Sequence, residues 1–430
     1  MSRASIFLIL IFSFVSEVQA LTWDQAFAQA AENNSSLKQA KLSEEYASYQ
    51  STKAASTFWP RLTLRGQHLF EEQFMKFPVN VGPVPAELEL IQPYTDFSLR
   101  AVMNIFNGFG DATNYQAARL QADAAMLERE RAEFQLRREM RTTFYQALGA
   151  QSLVDVAEQK EKTISEHLRD VKRSQRLGAA TRYDLLRMEV QFSDAETEKM
   201  SADDSMKAAK DKLARMMGVS ELPEELSGTF PALDGVVVPN KNEMEVRQDL
   251  KAKELRAKSA SKLNTSSHNW WYPKINLFAE KQYYNNLDHE WQYSEDYREA
   301  HNFGISFTWD FFDGGLGWAT QRQAAVQRAM AEENLRAALI QRPQEVDFWS
   351  RKLKYSLSVY KAKTLSIRKS EEALRLAKVG ARAGSLTSTD QLDAELDFYQ
   401  AKARLVQSQV DAIEALGQVE LALGKELGNY

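Results

Sequence analysis

Two segments of the chain alternate strictly between apolar and polar positions. Phe303, Ile305, Phe307, Trp309 and Phe311 are apolar, whereas Gly304, Ser306, Thr308 and Asp310 between them are small or polar. The stretch 97–106 keeps the same rhythm, with Phe97, Leu99, Ala101, Met103 and Ile105 on one side. A period of two over about ten residues predicts a strand with one apolar and one wet face. Weaker alternation predicts partner strands from Leu62 to about Phe74 and from Ile275 to about Tyr284. The intervening stretches, proline-rich at 78–93 and acidic at 285–301, read as loops.

The rest of the pattern is helical. A first helix is predicted from about Thr22 to Thr57, with Asp24 against the positive end of its dipole and Pro60 ending it. No proline interrupts Asp111–Leu177, which at ~1.5 Å per residue would be on the order of 100 Å long if straight. The counterpart Leu316–Ala383 contains Pro343, where a kink is predicted because proline removes a helical hydrogen bond. Return helices follow at about Thr181–Met217 and Thr387–Leu423. In the second, Leu392, Leu396, Tyr399, Ala403, Val406, Val410 and Ile413 step by four and three, the seam of a left-handed coiled coil. The first is less regular, with Ser193, Thr197, Asp204 and Lys207 at the matching positions.

These elements recur because the chain is an internal repeat. A shift of 206 positions lays Phe303 on Phe97, Phe312 on Phe106 and Gly314 on Gly108. Without a gap it also lays Gly384, Thr387, Asp390, Leu392, Glu395 and Phe398 on Gly178, Thr181, Asp184, Leu186, Glu189 and Phe192, and Gly424 on Gly218. Upstream the shift becomes 213, pairing Leu37 with Leu250 and Pro60 with Pro273, so the difference falls between the predicted strands. Each repeat reads helix, strand, strand, long helix, long helix. Repeat one spans 21–218 and repeat two 244–430. The proline-containing linker 219–243 reads as irregular, with one short strand at Val236–Val238. Glycine-rich corners, with Gly108 and Gly110 in one repeat and Gly314 and Gly315 in the other, stand where strand turns into long helix. Glycine suits such a corner because it alone adopts unusual φ without cost.

Residues 1–20 are a separate object. Arg3, the apolar run Ile6–Val15 and the small-x-small step Val18-Gln19-Ala20 predict a secretory signal peptide cut after Ala20. There is no cysteine, hence no disulfide framework in an exported chain. No internal stretch reaches the roughly eighteen apolar residues of a membrane helix. Net charge is −5 with both signs interspersed, which argues against nucleic acid. The five histidines, His68, His167, His268, His289 and His301, are scattered without metal-ligand spacing, and no P-loop or G-x-S-x-G is present. These absences leave no basis for an enzyme or a cofactor.

Strands of about ten residues also fit a transmembrane β-barrel, although a half-buried soluble sheet alternates in the same way. Four strands cannot close a barrel, and an open edge in lipid leaves backbone groups unpaired at several kcal/mol each. Membrane strands would therefore require several copies around one barrel.

The order helix, hairpin, helix, helix, the steps "FWPRLTL" and "WYPKINL", the corners "FNGFGD" and "FFDGG" and the turn "GSLTSTDQLDAE" resemble the TolC family of outer-membrane efflux and secretion channels. The resemblance covers Leu21 to about Gly424. It implies a mainly helical fold with four strands per chain in a shared twelve-strand barrel of a homotrimer, and helices forming a periplasmic tunnel with the linker at its equator. It also implies outer-membrane lipid around the barrel and passive export alongside a periplasmic adaptor (membrane fusion) protein and an inner-membrane pump or ABC transporter. Asp390 and Asp393 match family positions of acidic rings at the periplasmic aperture, with Asp184 their counterpart in repeat one; a helix-dipole role fits Asp390 and Asp184 equally. Gly178, Thr181, Gly384 and Thr387 fall at the hairpin tips where family adaptors dock. The chain departs from the best-known member at Ala381 and Leu386, where a tyrosine and an arginine help latch the aperture. The aromatics Trp270, Trp271, Tyr272, Trp309 and Trp318 suit either a membrane-interface girdle or packing at the joint of helix and sheet. The competing reading is a periplasmic coiled-coil scaffold or adaptor without a pore.

Overall fold

The computed structural model describes residues 21–70, 76–82, 84–89, 95–222, 226–239, 247–285 and 297–427. The expected signal peptide lies outside them, as does most of the expected acidic loop. Helices α1 (Trp23–Asn33) and α2 (Ser35–Ala55) precede strands β1 (Arg61–His68), β2 (Lys76–Val81), β3 (Val84–Glu89) and β4 (Thr95–Phe106). Long helices α3 (Gly110–Arg176) and α4 (Arg182–Met217) complete the first half. The second half runs α5 (Gln248–Ser266), β5 (Lys274–Asn285), β6 (Arg298–Thr308), α6 (Leu316–Arg382) and α7 (Ser388–Leu423).

The expected long helices start and stop within a residue or two of their predicted ends. Several expectations change. The first helix is two, because Asn34 turns extended at ψ 123°. Its side chain then caps α2 by accepting from the Leu37 amide at 3.0 Å, while its amide group donates to the Met216 carbonyl at 2.8 Å. The proline-rich stretch expected as a loop holds a two-stranded hairpin, β2 with β3. Strand β6 ends at Thr308, short of the alternation, leaving Trp309–Phe312 outside it. The strand expected at Val236–Val238 is absent; both valines instead pack against the core. Helix α6 is continuous through Pro343, so the proline does not end it, as the expected kink also allows.

The chain forms two compact units that do not coincide with the repeats. Each takes segments from both halves: 1–41, 129–248 and 339–430 in one, 42–128 and 249–338 in the other. The first unit holds the main core. Phe144, Met140, Leu213, Met217, Leu353, Leu416 and Leu423 are fully buried there. A second cluster joins Ile164 and Leu168 of α3, Met188 and Ala195 of α4, and Leu392 of α7. The seam of α7 is buried or half-buried at every expected position. That of α4 runs instead along Leu185, Met188, Phe192 and Ala195, spaced three and four, which leaves Ser193, Thr197, Asp204 and Lys207 exposed. The polar residues had masked a seam shifted around the helix rather than broken it.

The C-terminus of α7 is buried in that core, and its last carbonyls lack helical donors. Arginines from three other segments supply them. Arg131 donates to Leu421 O at 2.8 Å, Arg247 to Ala422 O at 3.4 Å and Arg342 to Leu423 O at 3.2 Å. One turn back, the Glu420 side chain accepts from Arg138 at 2.7 Å and from the Leu427 amide at 2.9 Å. Arg138 also pairs with Glu426. Burial lowers the Arg138 pKa and Glu420 opposes it. Arg138→Met would strand the Glu420 carboxylate in a core where it is fully buried. The expected loss is about 3–5 kcal/mol, read as a lower thermal midpoint by circular dichroism in detergent. Adding Glu420→Leu should recover part of it. An unchanged midpoint in the single variant would refute the role of the pair.

Candidate functional site

The antiparallel sheet of the second unit has the order β1-β4-β5-β6, and in the chain alone both outer strands have a free edge. Register fixes its two faces. Leu62, Leu64 and Gly66 of β1 stand opposite Ala101, Leu99 and Phe97 of β4. Phe97, Ala101 and Met103 meet Tyr283, Ala279 and Leu277 of β5, and Leu277 and Ala279 meet Ile305 and Phe303 of β6. All these side chains share one face. It is the uncovered one: Leu64 and Phe303 are each 76% exposed and Ile305 71%. The opposite face carries Ser98, Asn276, Gln282 and Ser306, buried or half-buried at its centre, and Arg61, Thr63, Arg65 and Arg100, exposed towards the β1 edge. A soluble sheet hides its apolar face, and this sheet leaves its apolar face without cover.

At the far end the apolar band gives way to Lys281, which pairs with Glu299 at 3.3 Å. At the near end stand aromatics. Trp271 and Trp309 are exposed and joined by a bond from the Trp309 indole to the Trp271 carbonyl at 3.2 Å. Trp270 and Tyr272 pack into the corners instead. Trp318 is exposed, with Arg322 over its ring at 5.7 Å.

The corners are built alike. A bulge at the end of β4 shifts its register between Asn104 and Phe106 and re-aims the chain. Gly108 (φ 68°) and Phe109 (φ 63°) then take left-handed backbone, and in repeat two Gly314 (φ 72°) and Gly315 (φ 93°) do the same. Asn107 accepts from the Asp111 amide at 3.1 Å, and Asp313 accepts from the Gly317 amide at 2.6 Å. Both side chains thereby satisfy an orphan donor in the first turn of the long helix. A Cβ on Gly108 would lie 2.7 Å from Tyr272, so a ring packs where a side chain would be. Gly110, expected with the corner, is instead the first residue of α3, and a Cβ there would lie 2.4 Å from Asn269.

The helical hairpin tips of the first unit are also duplicates. Gly178 (φ 75°) and Gly384 (φ 72°) close α3 and α6 in left-handed backbone. Bonds from Ala179 N to Ser174 O and from Ser385 N to Gly380 O satisfy the last turns. Thr181 then caps α4. Its hydroxyl accepts from the Asp184 amide at 3.1 Å, and Asp184 accepts from the Thr181 amide at 2.9 Å and hydroxyl at 2.7 Å. Thr387 and Asp390 repeat the same three distances on α7. Asp393 is exposed one turn further along.

This doubled arrangement is matched by the model of the outer membrane efflux protein family over residues 26–219 and 241–425. The chain belongs to that family. The proteases secretion protein PrtF of Dickeya chrysanthemi is 25% identical over 276 residues, 61% of this chain and 58% of the relative. Among solved structures, a membrane protein from Pseudomonas aeruginosa superposes with a TM-score of 0.78 at 18% identity, covering 94% of this chain and 93% of that one. The Campylobacter jejuni CmeC outer membrane channel superposes with a TM-score of 0.76 at 15% identity, covering 95% and 87%.

In this efflux-family chain one cluster escaped the sequence reading. Lys172 lies 3.5 Å from Glu189, and the pair recurs in repeat two as Lys378 and Glu395 at 3.6 Å. Glu189 is exposed, but Glu395 is 8% exposed because His167 of α3 closes over it at 2.9 Å. The repeat match of Glu189 with Glu395 carried half of this signal. The packing of α3 on α7 that buries the second carboxylate has no sequence signature.

Hydrogen bonds from Thr181 and Thr387 hold Asp184 and Asp390 below their ordinary value of 3.8. With folded pKa values below the unfolded ones, the caps stabilise fully above that value and fail as pH falls through the folded one. Protection factors of the tip amides, taken against the intrinsic exchange rate at each pH, should therefore be flat from about pH 5 to 8 and fall only in stronger acid. Asp184→Asn and Asp390→Asn should abolish that acid step; its persistence would refute the capping account. At the corner, Gly314→Val and Gly315→Val should each cost about 1–2 kcal/mol from left-handed strain, lowering the thermal midpoint. Gly315→Phe should be milder, because Phe109 occupies the equivalent place.

Proposed function

We propose that the protein is the outer-membrane duct of a tripartite efflux or type I secretion system. It passes small molecules or proteins passively outward, alongside a periplasmic adaptor and an inner-membrane pump or ABC transporter. The observation that carries this reading is the uncovered apolar face of the sheet. An apolar band with no protein cover needs lipid, and lipid forbids open strand edges. Four strands have two such edges, and the smallest bacterial barrels have eight strands. A homotrimer closes twelve, with β1 of one copy against β6 of the next. Exposed Trp271 and Trp309 fit the interfacial girdle of such a barrel. Transport of this kind involves no reaction, and the chain calls for no cofactor. The secretion role in the name of PrtF favours protein cargo as one of the two classes.

The hairpin tips bearing Gly178, Thr181, Gly384 and Thr387 are the docking points for the adaptor in this reading. Asp390 and Asp393, with Asp184 beside them, ring the aperture three times over and favour cations. Capping and ring duties are compatible, since Asp390 spends one carboxylate oxygen on Thr387 and keeps the other.

Purified protein in planar bilayers should conduct, with a cation preference that falls in Asp390→Ala and Asp393→Ala. Absence of channels would sink the duct. Channels with unchanged preference in the variants would sink the acidic ring alone. Membranes washed with high salt should retain the protein until detergent is added, whereas a pore-less scaffold would come off in the wash.

A further inference from the structure

The wet face of the sheet has its own charge pattern. Arg61, Thr63 and Arg65 alternate along β1 and so share that face, and Thr63 stands directly opposite Arg100 of β4. Residues two apart on a strand lie roughly 6.6 Å apart and cross-strand neighbours about 5 Å. Three guanidinium groups therefore surround Thr63 within about one screening length at physiological salt. Their contacts are neutral: Arg65 donates to Gln67 at 2.9 Å, and Arg100 lies over the Phe278 ring at 5.9 Å. Among the described residues none of the three forms an ion pair. The face also carries carboxylates, one of them next to the cluster. Asp96 is bonded to Gln282, Glu280 lies across from Arg100, and Asp310 past the strand end pairs with Lys274 at 3.6 Å. With Lys274 and Arg298 included, the face holds five cations against these three carboxylates.

We propose that this cluster is a cationic belt in the barrel lumen that locally concentrates anionic solutes, those bearing carboxylate, phosphate or sulfonate groups, in series with an acidic aperture that sets the overall cation preference. The inference rests on the duct reading, which makes the wet face a lumen wall. Closure does not neutralise the belt. Strand β1 is the edge that would meet β6 of the next copy, and the wet positions of β6 (Arg298, Ala300, Asn302, Gly304, Ser306 and Thr308) include no carboxylate. Threefold repetition around a water-filled lumen then multiplies the same excess of cations over carboxylates rather than cancelling it. Planar guanidinium also binds carboxylate and phosphate in a two-pronged manner, which ammonium does not.

The chain has no cysteine, so one introduced thiol reports the local potential. Full-length Thr63→Cys, reconstituted in phospholipid vesicles, is treated with methanethiosulfonates carrying a sulfonate or a trimethylammonium group. The ratio of the two rates is compared with that of free 2-mercaptoethanol. The anionic reagent should be favoured about tenfold beyond the free thiol at low salt. The preference should collapse at about 1 M salt. It should reverse when Arg65→Glu and Arg100→Glu are added, or vanish with the milder Arg65→Gln and Arg100→Gln if the first pair does not fold. A ratio equal to that of the free thiol, or one untouched by these changes, overturns the belt while leaving the duct intact. Leu64→Cys, one residue along on the apolar face, separates the two failures. It should be shielded by lipid from both reagents. Rapid labelling there would overturn the barrel placement, and the belt with it.

Discussion

The structure hangs on one constraint: a peptide group in hydrocarbon must find its partner within protein. The sheet β1-β4-β5-β6 satisfies its interior bonds and leaves two free edges beside an apolar face that nothing covers. As an isolated domain in water it would be doubly wrong, greasy outside and open at both sides. In lipid only the edges would be wrong, and the identical neighbours proposed above would mend them. That single requirement links strand length, face polarity and assembly.

A strand that ends at an interface must hand over to a helix in few residues. Left-handed backbone at Gly108, Phe109, Gly314 and Gly315 makes the turn, and Asn107 and Asp313 start the new helix by accepting from its first-turn amides. The same economy appears at the tips and at the C-termini of α4 and α7, where Gly218 and Gly424 end the helices in matching left-handed caps. Space as well as conformation fixes these two: a Cβ on Gly218 would meet the Asn33 carbonyl oxygen at 2.7 Å, and one on Gly424 the Arg247 side chain at 2.5 Å. Duplication preserved the residues at which backbone direction changes more faithfully than the residues between them.

Such positions are also what the sequence makes legible. Gly178 and Gly384, the Thr-x-x-Asp caps, the two strand rhythms and the 206-residue shift set element order and nearly every long-helix boundary. Reading failed where two signals conflicted. Pro78 and Pro85 argued for a loop, yet both sit in a two-stranded hairpin, which has no central strand for a missing amide to disrupt. Asn34 interrupted an otherwise helical pattern because its partner, the Met216 carbonyl, lies far along the chain. Ion pairs such as Arg138 with Glu420 were invisible for the same reason: a charge in a helical sequence reads as solvated until packing buries it. For Asp184 and Asp390 the sequence left a helix cap and an aperture ring open together. The capping bonds support the first without excluding the second.

Where the two halves differ is as telling as where they agree. The Lys–Glu pair recurs at 172/189 and 378/395, but only Glu395 is closed over by a histidine, and the residue equivalent to His167 in repeat two is Ala373. Likewise Pro343 of α6 stands where α3 has Arg137, which lies over the Phe27 ring at 4.9 Å. Proline deprives the Leu339 carbonyl of its helical donor, and α6 nonetheless continues unbroken. Two hairpins that began as copies thus present different interiors. One is tied through a buried carboxylate to its neighbour; the other keeps its pair in solvent. In the proposed homotrimer each chain would contribute one hairpin of each kind.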